Sequence, residues 1–282
     1  MAELLRGKAV SDSLSEKTSK KVNELKKRGI FPTLAIVRLG ENPEDMAYES
    51  GAVKRAFELG ITVRQFVYDA KISQRELVDE IVKLNDDEHI HGVLIFRPLP
   101  SHIDERVVCE VLAPEKDVDG ITAGSMAGVF MDRDTGFPPC TAEACMELLE
   151  HYGCELEGKR MAVIGRSLVI GRPVAMMSMR KNATVTICHS RTREEDLRSI
   201  ASTADIVIAA VGKSRMIKKD ILGKNQIIVD VGINVDDDGR MCGDVDFDNA
   251  ATAAAAITPV PGGVGSVTTA VLMKHVVEAA EK

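Results

Sequence analysis

Apolar and charged positions alternate at helical spacing over residues 8–28, and Gly29 is a natural stop. Residues 33–38 (TLAIVR) form an apolar run of strand length. The turn Gly40-Glu41-Asn42-Pro43 leads into a helix that ends near Leu59, before Gly60. Residues 61–68 predict a second strand, and Ser73 with Glu76 makes a capping box for a helix through about residue 84. Residues 92–96 predict a third strand, and Arg97-Pro98-Leu99-Pro100 forces an extended exit from it. Helical connectors are expected over 126–130 and 141–152, the second capped by Thr141 after Pro138-Pro139. A second series places strands at about 160–164, 183–188, 205–211 and 226–231, with helices between the first three. A last helix covers about 266–280. Strand–helix alternation of this kind predicts an α/β fold built on parallel sheets.

Composition narrows the function classes. A chain of 282 residues with 45% hydrophobic and 28% charged positions has the make-up of a soluble globular protein with a full core. No apolar run approaches the ~18 residues of a membrane helix, and the charged, amphipathic start has no signal-peptide core. The net charge of −7 argues against nucleic acid as a partner. Cys109, Cys140, Cys145, Cys154, Cys188 and Cys242 make no CxxC pair, so reduced thiols and a cytoplasmic setting are expected. His89 and His91 flank Ile90 before a strand, where an edge role is expected, and no metal site is predicted.

The stretch 161–173, MAVIGRSLVIGRP, carries the clearest chemistry. A strand ends in Gly165, and Gly171 opens a helix six residues on. This is the strand–glycine–helix order of a dinucleotide site, where backbone approaches a pyrophosphate at a helix N-terminus. Ser167 stands where the GxGxxG pattern has its second glycine, so a plain structural turn is the competing reading. The position, at the first turn of a Rossmann-like series, favours the cofactor. The next strand ends in His189-Ser190-Arg191-Thr192, with no acid to hold the ribose hydroxyls of NAD. Ser190 and Arg191, with Arg166 in the glycine turn, suit a ribose phosphate, which points to NADP. The alternative is that Arg191 and Arg193 only face solvent.

Four segments in the second half, GRSLVIGRP, ATVTICHSRT, VDVGIN (229–234) and TPVPGGVG (258–265), stand in a telling order. With GENP (40–43), Tyr48, PLP (98–100) and KDVDG (116–120), the chain resembles the methylenetetrahydrofolate dehydrogenase/cyclohydrolase family over nearly its whole length. The resemblance implies a two-domain homodimer, with tetrahydrofolate derivatives bound in a cleft between two α/β domains and NADP on a Rossmann-like domain. Residues 1–138 with 259–282 would form the folate-binding catalytic domain, and 139–258 the NADP-binding domain. Asp119 would bind the pterin, Tyr48 would stack on it, and Pro261, Gly262 and Gly263 would let backbone approach the substrate. Gly165, Arg166, Ser167, Gly171, Ser190, Arg191, Gly232 and Ile233 would hold the cofactor. A carboxylate at Asp119 can accept two adjacent N–H donors of a pterin edge. Read without the resemblance, Asp119 is equally a turn aspartate held by local backbone, Tyr48 a core or helix-surface tyrosine, and Gly262-Gly263 a helix-entry turn.

Departures from the family pattern set the functional expectation. Where the family has a lysine four residues after the tyrosine, this chain has Ala52, and where it has a glutamine before PLP, this chain has Phe96. Lys54 lies two residues on, about 200° around the helix. The family serine before the tyrosine is Asp45, and the proline after GGVG is Ser266. Hydride transfer from the methylene bridge needs positioning more than a side-chain base, whereas methenyl hydrolysis needs proton movement. The expectation is an NADP-dependent 5,10-methylenetetrahydrofolate dehydrogenase with cyclohydrolase activity lost or weak. The alternatives are a bifunctional enzyme in which Asp45, Lys54 or Arg97 substitutes, a catalytically silent folate/NADP-binding protein, and a different Rossmann oxidoreductase acting on a small hydroxy acid.

Overall fold

The computed structural model describes residues 2–236 and 238–282. The chain divides into two compact units, Ser13–Cys140 with Thr269–Lys282, and the residues up to Asp12 with Thr141–Thr268. The chain opens on a short strand β1 (Glu3–Leu4), then a long helix α1 (Gly7–Lys27).

In the first unit three parallel strands stand in the order β3-β2-β4: β2 (Thr33–Leu39), β3 (Thr62–Tyr68) and β4 (Gly92–Ile95). The crossover helices are α2 (Pro43–Leu59) and α3 (Gln74–Asp86). Asn42 caps α2 through the Glu44 N–H, and the expected capping box of Ser73 and Glu76 is present. Central β2 is buried from Thr33 to Arg38, which explains its unbroken apolar run. Its Ala35 and Val37 pack with Leu77, Ile81, Val93 and Ile95 into one core. Two helices follow, α4 (Glu105–Val111) and α5 (Ala123–Met131).

The second unit is reached through α6 (Cys140–His151). This helix starts one residue before the expected cap. The Cys140 thiol donates to the Val118 carbonyl at 3.2 Å, and Thr141 lies inside the first turn. Strand β5 (Arg160–Ile164), helix α7 (Gly171–Arg180), strand β6 (Thr184–Cys188), helix α8 (Glu194–Thr203), strand β7 (Ile206–Ala209) and strand β8 (Ile227–Asp230) follow. A hairpin of β9 (Asn234–Val235) and β10 (Met241–Cys242), a short helix α9 (Phe247–Ala250), strand β11 (Ala256–Ile257) and helix α10 (Gly265–Glu281) complete the chain. The six-stranded sheet is parallel throughout, in the order β1-β11-β8-β7-β5-β6.

The division differs at its edges from the expected 1–138 and 259–282 boundary. Residues up to Asp12 group with the six-stranded unit because β1 pairs with β11, Glu3 opposite Ala256 and Leu4 opposite Ile257. Residues 259–268 also belong there, and α10 runs from one unit into the other. None of the six cysteines forms a disulfide, and all but the half-buried Cys154 are buried. Among the described residues no helix is long and apolar enough to cross a membrane.

Candidate active site

The six-stranded unit builds its site at the carboxyl ends of its strands. Strand β5 has β6 on one side and β7 on the other, which makes its end the point where the chain's winding reverses. Gly165 leaves β5 at φ 139°, and a Cβ there would collide with the Ala210 carbonyl at the end of β7. A Cβ on Gly171 would collide with the Gly165 carbonyl, so the two glycines close the turn on each other. The N–H groups of Arg166, Ser167, Leu168 and Val169 find no acceptor among the described residues. Free backbone donors beside the N-terminus of α7 form an anion cradle. Ser167 has a different first duty: its hydroxyl accepts from the N–H groups of Ile170 at 3.1 Å and Gly171 at 3.4 Å.

Ile164 and Cys188 are paired across β5 and β6, so Arg166 and Ser190-Arg191 follow neighbouring strand ends. The 189–192 loop closes on itself, His189 N–H to Thr192 Oγ1 at 2.9 Å and Arg191 N–H to His189 Nδ1 at 3.1 Å. Its outward groups are the exposed Ser190 hydroxyl and Arg191 side chain. Arg193 is committed elsewhere, to Asp196 at 2.8 Å and Glu195 at 3.1 Å. Neither Arg166 nor Arg191 has an ion-pair partner among the described residues. Two exposed, uncompensated guanidinium groups beside the cradle fit an additional phosphate.

Pro261, Gly262 and Gly263 line a pocket of about 300 Å³ together with Gly232, Ile233, Asp230 and Met241. Gly232 owes its small size first to packing, because a Cβ there would strike the Asp244 carboxylate. Two acids that sequence reasoning missed hold this region. Asp244 accepts from the N–H groups of Val211 at 2.6 Å, Gly212 at 3.0 Å and Lys213 at 2.9 Å, and from Asn234 Nδ2 at 2.9 Å. Asp230 accepts from Gly232 N–H at 3.0 Å, Asp244 N–H at 3.0 Å and Val245 N–H at 2.9 Å. Burial nevertheless pushes the Asp230 carboxyl up to about 6. The DVG and GDV segments, Asp230-Val231-Gly232 and Gly243-Asp244-Val245, pair an acid with a small neighbour. Their mutual contact, however, exists only in the fold.

The three-stranded unit gathers a second set of groups around Asp119. The turn Lys116-Asp117-Val118-Asp119-Gly120 divides its labour. Lys116 Nζ donates to the carbonyls of Leu84 at 2.9 Å, Asn85 at 2.6 Å and Asp87 at 2.8 Å, closing the end of α3. Buried Asp117 accepts from Ile121 N–H at 2.9 Å, Thr122 N–H at 2.7 Å and Ser125 Oγ at 2.6 Å. Local backbone is thus served by Asp117, and the carboxylate of Asp119 is left for other partners. Arg97 Nη2 lies 3.8 Å from it. The side chain of Asp119 is 29% exposed. Burial raises its carboxyl to about 6; Asp117 adds to the rise, while Arg97, the Cys140 thiol and His275 oppose it.

Tyr48 joins this cluster. It leaves 43% of its surface exposed, while its hydroxyl bonds Thr269 near Cys140 and Asp119. Desolvation first, then those two acidic groups, raise the phenol above its ordinary range. The Phe96 ring meets Tyr48 edge-on, with centroids 5.8 Å apart. His275, at the buried end of the cluster, shares the Val118 carbonyl at 2.8 Å and stacks on Phe137 at 4.9 Å. Ala52 is 1% exposed, one helical turn beyond Tyr48. Lys54 lines a separate pocket on the same unit with Arg38, Glu49, Phe57 and Gln65.

The family models match these two site regions in turn. The tetrahydrofolate dehydrogenase/cyclohydrolase catalytic domain matches residues 5–119, and the NAD(P)-binding domain of the same family matches residues 139–282. The chain belongs to the tetrahydrofolate dehydrogenase/cyclohydrolase family. It is 50% identical to the bifunctional protein FolD of Carboxydothermus hydrogenoformans, over all of this chain and 98% of that one. The FolD of Alkaliphilus oremlandii is 47% identical over 99% of this chain and 97% of its own. Among solved structures, the Campylobacter jejuni FolD methylenetetrahydrofolate dehydrogenase/cyclohydrolase superposes with a TM-score of 0.96 at 37% identity, covering 100% of this chain and 99% of that one. The Trypanosoma brucei dehydrogenase-cyclohydrolase, solved with NADP and an inhibitor, gives 0.92 at 34% identity, over 99% and 97% of the two chains.

In the three-stranded unit Ala52 lies one helical turn beyond Tyr48, and Phe96 meets the Tyr48 ring edge-on; neither side chain can carry a proton.

Proposed function

We propose that this chain oxidises 5,10-methylenetetrahydrofolate to the 5,10-methenyl compound with NADP⁺, and that its hydrolysis of the methenyl product is weak or lost. The observation that carries the reading is the pairing of an uncompensated cradle in one unit with, in the other, a Tyr48 ring met edge-on by Phe96 and with Ala52 one helical turn on. NADP⁺, when bound, supplies the hydride acceptor. Gly165 and Gly171 admit its pyrophosphate, while Arg166, Ser190 and Arg191 hold the extra phosphate. Gly232, Ile233 and Pro261 to Gly263 line the pocket for the rings. Asp119 accepts the pterin N–H groups and Tyr48 supports the ring face. The lone pair of a folate nitrogen drives the hydride out, so orientation is the chief demand on the protein. Hydrolysis asks for more, a group that moves protons on and off water. Arg97 is the cation at hand, and a guanidinium keeps its proton at neutral pH.

The test follows methylenetetrahydrofolate and NADP⁺ to reduced cofactor, methenyl and 10-formyl products separately. Methenyl product should accumulate in step with NADPH. Formation of 10-formyltetrahydrofolate at the rate of hydride transfer would instead make the chain bifunctional, as its FolD relatives are named. Failure of any hydride transfer, with folate and NADP still bound, would make it a silent binder. The same reading has the chain act in the cytoplasm as a homodimer, which sedimentation equilibrium checks.

Two further outcomes follow from the site. Arg191→Ala is expected to weaken NADP⁺ binding about tenfold or more while leaving NAD⁺ nearly unchanged, because one charge-assisted phosphate contact is removed. Parallel KM measurements for the two cofactors check it. Folate affinity should also fall as pH drops through about 6, the value to which burial raises Asp119. The ionised form accepts the pterin donors and is present above that pH. In the protein without substrate the sign is opposite: native Asp119 holds its proton more tightly than the unfolded chain, so stability falls as pH rises through about 6. A KM for methylenetetrahydrofolate that is flat between pH 5 and 7 would remove Asp119 from the pterin site.

A further inference from the structure

The Arg97 guanidinium has more donors than the protein uses. Nη1 reaches Glu105 Oε1 at 3.2 Å. Glu105 is fixed in turn, since its second oxygen accepts the Leu99 N–H at 3.3 Å. Nη2 stops 3.8 Å from Asp119 Oδ2, beyond hydrogen-bond distance. Nη2 and Nε have no hydrogen-bond acceptor among the described residues, and the side chain is 25% exposed. Residue 97 is thus a bracketed cation whose free donor edge lies beside a carboxylate.

Side by side, Asp119 and Arg97 offer two acceptor directions and one donor. The edge of a 2-amino-4-oxopteridine is the complement of that array: an amino N–H, a ring N3–H and a carbonyl oxygen in a row. We propose that Arg97 is a specificity-determining residue that donates to the 4-oxo group of the pterin held by Asp119. The proposal rests on the placement of folate at Asp119 given above. Charge-assisted donation fixes the ring without offering a removable proton, so it orients substrate and leaves hydrolysis unaided. It also discriminates. A 2,4-diaminopteridine turns an N–H toward the guanidinium where the natural ring turns an oxygen, and two donors then face each other.

Calorimetric titration of the full chain with tetrahydrofolate and with 4-amino-4-deoxytetrahydrofolate tests this; the second ligand has an amino group at position 4 and no N–H at N3, so the effect of each Arg97 substitution is read within each ligand. The wild type should prefer the 4-oxo ligand. Arg97→Met should lose about ten- to a hundredfold in affinity for tetrahydrofolate, the worth of a hydrogen bond to a charged group, and leave the 4-amino ligand little changed. Arg97→Gln keeps an N–H donor at the site and should retain part of the preference. Equal weakening of both ligands in both variants, or a wild type indifferent to the 4 substituent, overturns the proposal. Unchanged tetrahydrofolate binding in Asp119→Asn would overturn the placement of the pterin itself, a separate failure.

Discussion

A chain carrying Ala52→Lys together with Phe96→Gln is expected to gain methenyl hydrolysis by about 10²–10⁴-fold, the usual worth of a positioned acid–base group. Hydride transfer should change little. Position 52 is one turn beyond Tyr48 on α2, and residues four apart share a helix face. Position 96 touches the same tyrosine from the end of β4. The two substitutions therefore bring a lysine and a hydrogen-bond partner to the two positions that adjoin one ring. They are needed together. Ala52 is buried, and an ammonium introduced there without a polar neighbour would carry an unpaired desolvation cost. Ala52→Lys alone should thus gain less activity and lower the melting temperature, and Phe96→Gln should return part of that loss. Rates of 10-formyltetrahydrofolate formation and thermal unfolding of the three variants give the comparison. No gain in the double variant would mean that Ala52 and Phe96 do not account for the proposed weakness in hydrolysis.

Gly165→Ala is expected to abolish cofactor binding and to destabilise the six-stranded unit by about 3 kcal/mol or more. The added methyl meets the Ala210 carbonyl, which belongs to backbone and cannot swing aside. The φ of 139° is itself unfavourable for any residue with a Cβ. Relief requires β5 and β7 to separate at their carboxyl ends, where the glycine turn begins. The loop would then lose the arrangement in which the N–H groups of 166–169 face outward together. Fluorescence titration with NADPH and denaturant unfolding measure the two losses. An alanine variant that binds NADPH normally would show that the turn tolerates a wider path and that the cradle lies elsewhere.

Much of this architecture is legible in local sequence because its causes are local. The continuous apolar run at 33–38 becomes a buried central strand, since a strand covered on both faces has no polar face to show. Ser73 and Glu76 satisfy each other across one turn, so their capping box needs nothing from the rest of the chain. The turn from Gly165 to Gly171 is likewise written in seven residues, along with the arginines that accompany it. Ala52 and Phe96 draw notice only through the resemblance to the family, because alanine in a helix and phenylalanine after a strand are unremarkable by themselves.

Other features depend on partners far away in the chain. Asp117 and Asp119 have the same side chain two residues apart, yet one is spent on the turn and the other faces Arg97; the fold of 121–125 over Asp117 decides which. Gly232 looks like a cofactor glycine in sequence and is also a space kept for Asp244. The first strand, two residues long, has no periodicity to reveal it and exists because β11 supplies its hydrogen bonds. Arg97 reads in sequence as a residue before proline; Glu105 and Asp119 make it a held cation with donors to spare. Local order thus set the longer strands and helices, the capping box and the glycine turn, whose energies close within a few residues. Tertiary structure alone decided which acids are consumed, which remain available and which charges face them, because desolvation and pairing depend on what the rest of the chain places around each group.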